Sequence, residues 1–115
     1  TLDIGGDKHC ECLELPQEDN PFLGYRAIRI CLNQKEMFKT QLRAILRAGS
    51  YGKVGIMVPM VTTVTEIKET KKLVEEIKQE LKAEGIPYGE DAQLGIMVET
   101  PASAMMAPVL QYRYQ

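Results

Sequence analysis

The strongest constraint on the fold comes from two short apolar runs separated by an amphipathic stretch. Val54 to Met60 is almost continuously apolar, broken only by Gly55 and Pro59, and Leu94 to Val98 is a second such run. A strand without polar alternation is buried on both faces, as in a parallel sheet. Between the runs, Thr63 and Glu66 have capping-box spacing. Val64, Ile67, Val74, Ile77 and Leu81 then fall on one helical face, with Lys and Glu elsewhere, until Gly85 and Pro87 stop the helix. Strand, helix, strand in this order means parallel strands joined by a helical crossover.

The flanks extend the alternation. Thr1 to Ile4 is β-compatible and punctuated by Gly5-Gly6, which predicts a further strand. Residues 7–24 lack periodicity and contain Pro16, Asn20-Pro21 and Gly24, so they read as a long loop. Asn33 and Glu36 form another capping-box spacing ahead of Phe38, Leu42, Ile45 and Leu46, with Gly49 and Gly52 ending that helix. Thr100 suits an N-cap and Pro101 a first helical position, for a last helix from Pro101 to Leu110. The expected class is α/β, with about three parallel strands and intervening helices. An open doubly wound sheet and a section of an eight-stranded barrel both fit. Three strands cannot close a barrel, so sheet edges would be left unpaired.

Composition narrows the partners. The 115 residues are 44% hydrophobic and 26% charged, with a formal net charge of -2 and both signs interspersed. This is a globular balance that gives no reason to expect nucleic acid or an anionic membrane as partner. No apolar run approaches the roughly 20 residues that span a bilayer. No signal peptide is seen after Thr1-Leu2-Asp3. The chain lacks an initiator Met, so it is expected to begin partway into a longer product. Three cysteines, Cys10, Cys12 and Cys31, make a poor disulfide framework and point to a reduced cytoplasmic compartment.

Glu99 is the leading site candidate. It is a carboxylate at the C-terminal end of a buried strand, where α/β folds carry their active sites. A hard oxygen there suits Mg²⁺; the plain structural alternative is a carboxylate set against the amides of the next helix. Arg26 and Arg29, in Gly24-Tyr25-Arg26-Ala27-Ile28-Arg29, carry planar donor forks suited to phosphate or carboxylate, against the alternative of surface pairing with glutamates. Gly5-Gly6-Asp7-Lys8 is not a P-loop, though its backbone amides can approach an anion. His9-Cys10-Glu11-Cys12 is dense in ligand atoms but has no second ligand pair at zinc-finger spacing. Cys31 reads as a small core residue. With His9 as the single histidine, no Ser-His-Asp set exists.

Four segments, in order, resemble one family: Thr1 to Lys8 (TLDIGGDK), Asn20 to Arg29 (NPFLGYRAIR), Gln41 to Ala48 (QLRAILRA) and Gly95 to Pro101 (GIMVETP). They are similar to phosphoenolpyruvate-protein phosphotransferase, enzyme I of the bacterial sugar phosphotransferase system. Pyruvate phosphate dikinase and phosphoenolpyruvate synthase share its barrel and the Glu-Thr-Pro element. The resemblance covers residues 1–110 as a fragment of the phosphoenolpyruvate-binding barrel, while the tail 111–115 does not follow the family. It implies a partial TIM barrel and transfer of phosphate from phosphoenolpyruvate to a histidine on a swivelling domain. From there the phosphate passes to the histidine-containing phosphocarrier protein. It also implies a Mg²⁺ cofactor and a homo-oligomer. By motif match, Glu99 falls on a Mg²⁺ ligand and Arg26 on an arginine that contacts the substrate phosphate. Asp7 and Lys8 fall in the loop beside the pocket.

Much of the family's machinery has no counterpart in these residues: an arginine just before Thr1, a second substrate arginine upstream and a third beyond, the second Mg²⁺ ligand, the cysteine that protonates the enolate, and the phosphorylated histidine, which His9 does not match. The expectation is therefore an inactive isolated piece of a phosphotransferase. The alternatives are a non-catalytic truncated barrel segment that serves as a structural or self-associating module, and an open α/β domain for another phosphorylated ligand.

Overall fold

The computed structural model describes residues 1–5, 10–11 and 13–113, with side chains to residue 110. The motif residues Gly6, Asp7, Lys8, His9 and Cys12 lie outside this set. Helices α1 (Ile28–Asn33) and α2 (Lys35–Ala48) lead to strand β1 (Gly55–Val58). Helix α3 (Val64–Ala83), strand β2 (Gln93–Ile96) and helix α4 (Pro101–Arg113) follow. The strands pair in parallel, from Gly55 opposite Gln93 to Val58 opposite Ile96, with α3 as the crossover.

The helix termini behave largely as their residues dictate. Thr63 accepts from the Glu66 amide and Glu66 reaches back to the Thr63 amide, so both halves of the capping box that starts α3 are made. At the other end Gly85 takes φ +68. The Ile86 amide donates to the Leu81 carbonyl at 2.9 Å and the Gly85 amide to the Lys82 carbonyl at 3.2 Å. This is the Schellman arrangement, which needs a residue tolerant of left-handed backbone. The expected Asn33 cap does not form. Asn33 closes α1, an element that the sequence reading missed, and Gln34 breaks the chain between α1 and α2 without a side-chain capping bond. The reason is packing: Ile28, Ile30 and Cys31 are all fully buried, so this turn is coiled to place three apolar side chains inside.

One core layer holds the fold. Phe38, Leu42 and Leu46 of α2 and Ile67, Val74, Ile77 and Leu81 of α3 pack with Ile56 and Val58 of β1. Ion pairs between α2 and α3, among them Lys39 with Glu76 at 3.4 Å and Arg43 with Glu84, edge this layer. Two strand expectations need correction. Among the described residues the sheet has two strands, because Thr1 to Ile4 forms none; the Thr1 nitrogen donates to the Met57 carbonyl, and one bond does not make a ladder. The strands are also not covered on both faces. β1 alternates, with Ile56 and Val58 buried and Met57 48% exposed, so one face of the strand is covered and the other is open.

Candidate functional site

Arg26 is held by the segment from Thr1 to Gly5. Its Nε and Nη2 donate to one oxygen of Asp3, Oδ1, at 3.1 and 2.8 Å, and the side chain is 16% exposed. Its Nη1 faces the Phe22 carbonyl at 3.4 Å. Gly5 makes the approach feasible: at φ +147, any Cβ there would sit 2.7 Å from the Cβ of Arg26. Arg29 has a different task. Its Nη1 donates to the carbonyls of Leu23 and Gly24, so it clamps the turn that precedes Arg26. This guanidinium, for which the sequence left anion binding and surface pairing with glutamates open, thus donates from Nη1 to backbone.

Glu99 follows β2 and is exposed. Its Oε1 accepts from the Met60 amide at 2.7 Å, across to the segment that follows β1. The alternative for Glu99, a carboxylate serving the helix after it, does not apply; Thr100 and Ser103 do that work. The Ser103 amide donates to Thr100 Oγ1 at 3.0 Å and the Thr100 amide to Ser103 Oγ at 3.1 Å. Thr100 Oγ1 then donates to the Val61 carbonyl at 2.7 Å.

Among the described residues, two other than glycine have positive φ: Ala27 at 49° and Met60 at 58°. One directly follows Arg26 and the other bonds Glu99. Backbone strain of this kind costs about 1–3 kcal/mol per residue and gathers at functional sites. The two strained positions thus adjoin the two sequence candidates, one in the chain and one through a hydrogen bond. No hydrogen bond or ion pair joins Arg26 to Glu99; each has its own partner.

A groove of about 480 Å³ lies elsewhere, between α3, β2 and α4, and contains neither candidate. Ile67, Val74, Leu94, Ile96 and Leu110 make it apolar, which suits packing rather than a phosphorylated ligand. Among the described residues, no three His, Cys, Asp or Glu side chains converge to hold a metal. No described helix is long and apolar enough to cross a membrane. Cys31 is a buried free thiol, pushed up to about 11 by its burial, so it is a core group. Cys10 is disulfide-bonded, against the expectation of three thiols.

Sequence reasoning missed Asp3, Met60 and Ser103. A Ser three residues after an N-cap Thr was a usable signal. Asp3 and Met60 act through long-range contacts that no local spacing reports.

The family model for PEP-utilising enzymes, PEP-binding domain, matches residues 1–114. The chain belongs to that family. Among its relatives, the phosphoenolpyruvate-protein phosphotransferase of Staphylococcus aureus is 58% identical over 109 residues, which are 95% of this chain and 19% of the relative. That of Staphylococcus carnosus (strain TM300) is 56% identical over the same shares. That of Priestia megaterium is 54% identical over 93% of this chain and again 19% of the relative. The chain therefore spans about a fifth of the length of these PEP-utilising relatives.

Proposed function

We propose that this chain is a section of the phosphoenolpyruvate-binding TIM barrel of a phosphotransferase of the enzyme I type. The whole enzyme moves phosphate from phosphoenolpyruvate to a histidine and on to the histidine-containing phosphocarrier protein, in the cytoplasm, as a homo-oligomer, to drive sugar uptake. In this reading Arg26 contacts the substrate phosphate and Glu99 is a Mg²⁺ ligand. The observation that carries it is the seating of these two residues beside Ala27 and Met60, the two strained non-glycine positions among the described residues, in a chain 58% identical over 109 residues to a phosphoenolpyruvate-protein phosphotransferase.

The donor set fits the cation. Mg²⁺ takes one or two carboxylates, keeps several waters and accepts substrate phosphate oxygens. Glu99 is an exposed hard-oxygen donor with one oxygen engaged by Met60 and the other without a hydrogen bond to the described residues. When bound, Mg²⁺ supplies positive charge at the phosphoryl oxygens. Arg26 brings a fixed guanidinium whose orientation is set by Asp3, so little ordering is left for substrate to induce. One carboxylate and one arginine make part of a site, so the chain alone turns over no phosphoenolpyruvate. Calorimetric titration with phosphoenolpyruvate and Mg²⁺ tests this. Weak heat that disappears in both Arg26→Ala and Glu99→Ala is expected, and equal heat in all three chains would overturn the assignment.

A second reading is a non-catalytic, self-associating module. It is favoured by the open sheet face and strand end, where Met57, Met97 and Val98 are 48%, 41% and 53% exposed. Light scattering tests it, and a monomer at high concentration counts against it.

A further inference from the structure

The two segments that leave β1 and β2 remain in the register of the strands after the backbone ladder stops. The last ladder bond runs from the Met97 amide to the Val58 carbonyl at 2.9 Å. Beyond it the bonds pass to side chains at the same separation of 39 residues. Glu99 Oε1 accepts from the Met60 amide, and Thr100 Oγ1 donates to the Val61 carbonyl. The Thr100 hydroxyl thus does for Val61 what the Met97 amide does for Val58.

Thr100 is well built for this. It is 7% exposed, and Ser103, which supports it, is fully buried. Ser103 Oγ donates to the Thr100 carbonyl at 2.9 Å and accepts from the Thr100 amide. The Ser103 amide donates to Thr100 Oγ1. Thr100 Oγ1 also lies 2.9 Å from Ser103 Oγ, but the carbonyl across the gap is the nearer acceptor for its proton, at 2.7 Å, while Ser103 Oγ sends its own proton to the Thr100 carbonyl. Capping α4 requires only that Thr100 accept from Ser103. The donation to Val61 is additional, and it ties down the residue next to strained Met60, whose amide holds the carboxylate.

We infer that Thr100, buttressed by Ser103, is a positioning residue: it fixes the Val61 carbonyl, holds the Met60 amide on Glu99 Oε1 and so leaves Oε2 as the oxygen presented to a cation. This rests on the reading of Glu99 as the cation ligand. Partners that orient a ligand from behind typically change metal affinity by about 10–100-fold.

The test is amide hydrogen exchange at Met60 in wild type, Thr100→Val and Thr100→Ser, with Mn²⁺ as a paramagnetic probe of the same chains. Thr100→Val keeps the shape and removes the donor. It should speed Met60 exchange about tenfold and weaken Mn²⁺ binding about tenfold, while Thr100→Ser retains wild-type values for both. A folded Thr100→Val with unchanged Met60 exchange overturns the proposal. Should Thr100→Val not fold, Ser103→Ala, which removes the Oγ that bonds the Thr100 amide and carbonyl, should also speed Met60 exchange, and no change there is equally fatal. Wild type that binds no Mn²⁺ while Met60 exchange still responds to Thr100→Val would remove Glu99 as a ligand and leave its positioning by Thr100 standing.

Discussion

The Met60 amide lies 2.7 Å from Glu99 Oε1, and this bond joins the ends of two parallel strands through a carboxylate rather than through backbone. An amide that loses its only acceptor costs about 1–3 kcal/mol when buried and less where water reaches it. Glu99 is exposed, so Glu99→Ala should lower unfolding stability by about 1 kcal/mol. Glu99→Gln keeps a carbonyl acceptor and should lower it by about half that. Urea denaturation of the three chains measures both. An equal loss in the Gln and Ala variants would mean that charge, and not the hydrogen bond, holds the strand ends.

Gly5 and Arg26 meet without room for a side chain. Gly5→Ala places a Cβ 2.7 Å from Arg26 Cβ on a backbone at φ +147, which an alanine rarely adopts. The expected loss is about 1–3 kcal/mol, accompanied by separation of Arg26 from Asp3. Thermal unfolding gives the first, and the Arg26 Nε proton shift gives the second. An unchanged Nε shift in a folded variant would show that Asp3 follows Arg26 without help from Gly5.

What was legible in the sequence follows from the range of the forces involved. The crossover β1–α3–β2 was readable because Thr63, Glu66 and Gly85 signal locally, and Ile67, Val74, Ile77 and Leu81 repeat at helical spacing. Glu99 was singled out as a candidate by its position and by resemblance, and Arg26 by its chemistry and by resemblance. Their partners were not readable, because Asp3 lies 23 residues from Arg26 and Met60 lies 39 from Glu99, and only the folded chain brings them together. The strand expected at Thr1 to Ile4 failed because propensity alone does not supply a pairing partner. The Asn33 cap failed because burial of Ile30 and Cys31 outweighed a local capping signal.

Thr63 gives a direct measure of capping. Its side chain accepts from the Glu66 amide at 3.3 Å, while Glu66 accepts from the Thr62 and Thr63 amides at 2.8 and 2.9 Å. The bond made by Thr63 is the longer, so Thr63→Ala should cost about 1 kcal/mol or less. Glu66→Ala, which orphans two amides, should cost more. Guanidinium unfolding of both variants checks the order, and the reverse order would assign the stability of this terminus to the hydroxyl.

Cys31 sets a pH limit on the fold. Burial raises its thiol from 9.0 to about 11, so the folded chain holds this proton where the unfolded chain has released it. The unfolded state therefore binds fewer protons between these values, and stability falls as pH rises. The Cys31 contribution is fully present below pH 9 and is lost progressively between about pH 9 and 11. Cys31→Ala should unfold more easily at pH 7, because a small cavity replaces the sulfur, yet lose less stability than wild type on going from pH 8 to pH 10. Parallel slopes in the two chains would show that the thiol ionises as readily inside the fold as outside it. Alkylation gives the kinetic counterpart: at pH 8 iodoacetamide should modify Cys31 slowly in the folded chain and rapidly in urea, because the thiolate is the reactive form and the fold suppresses it.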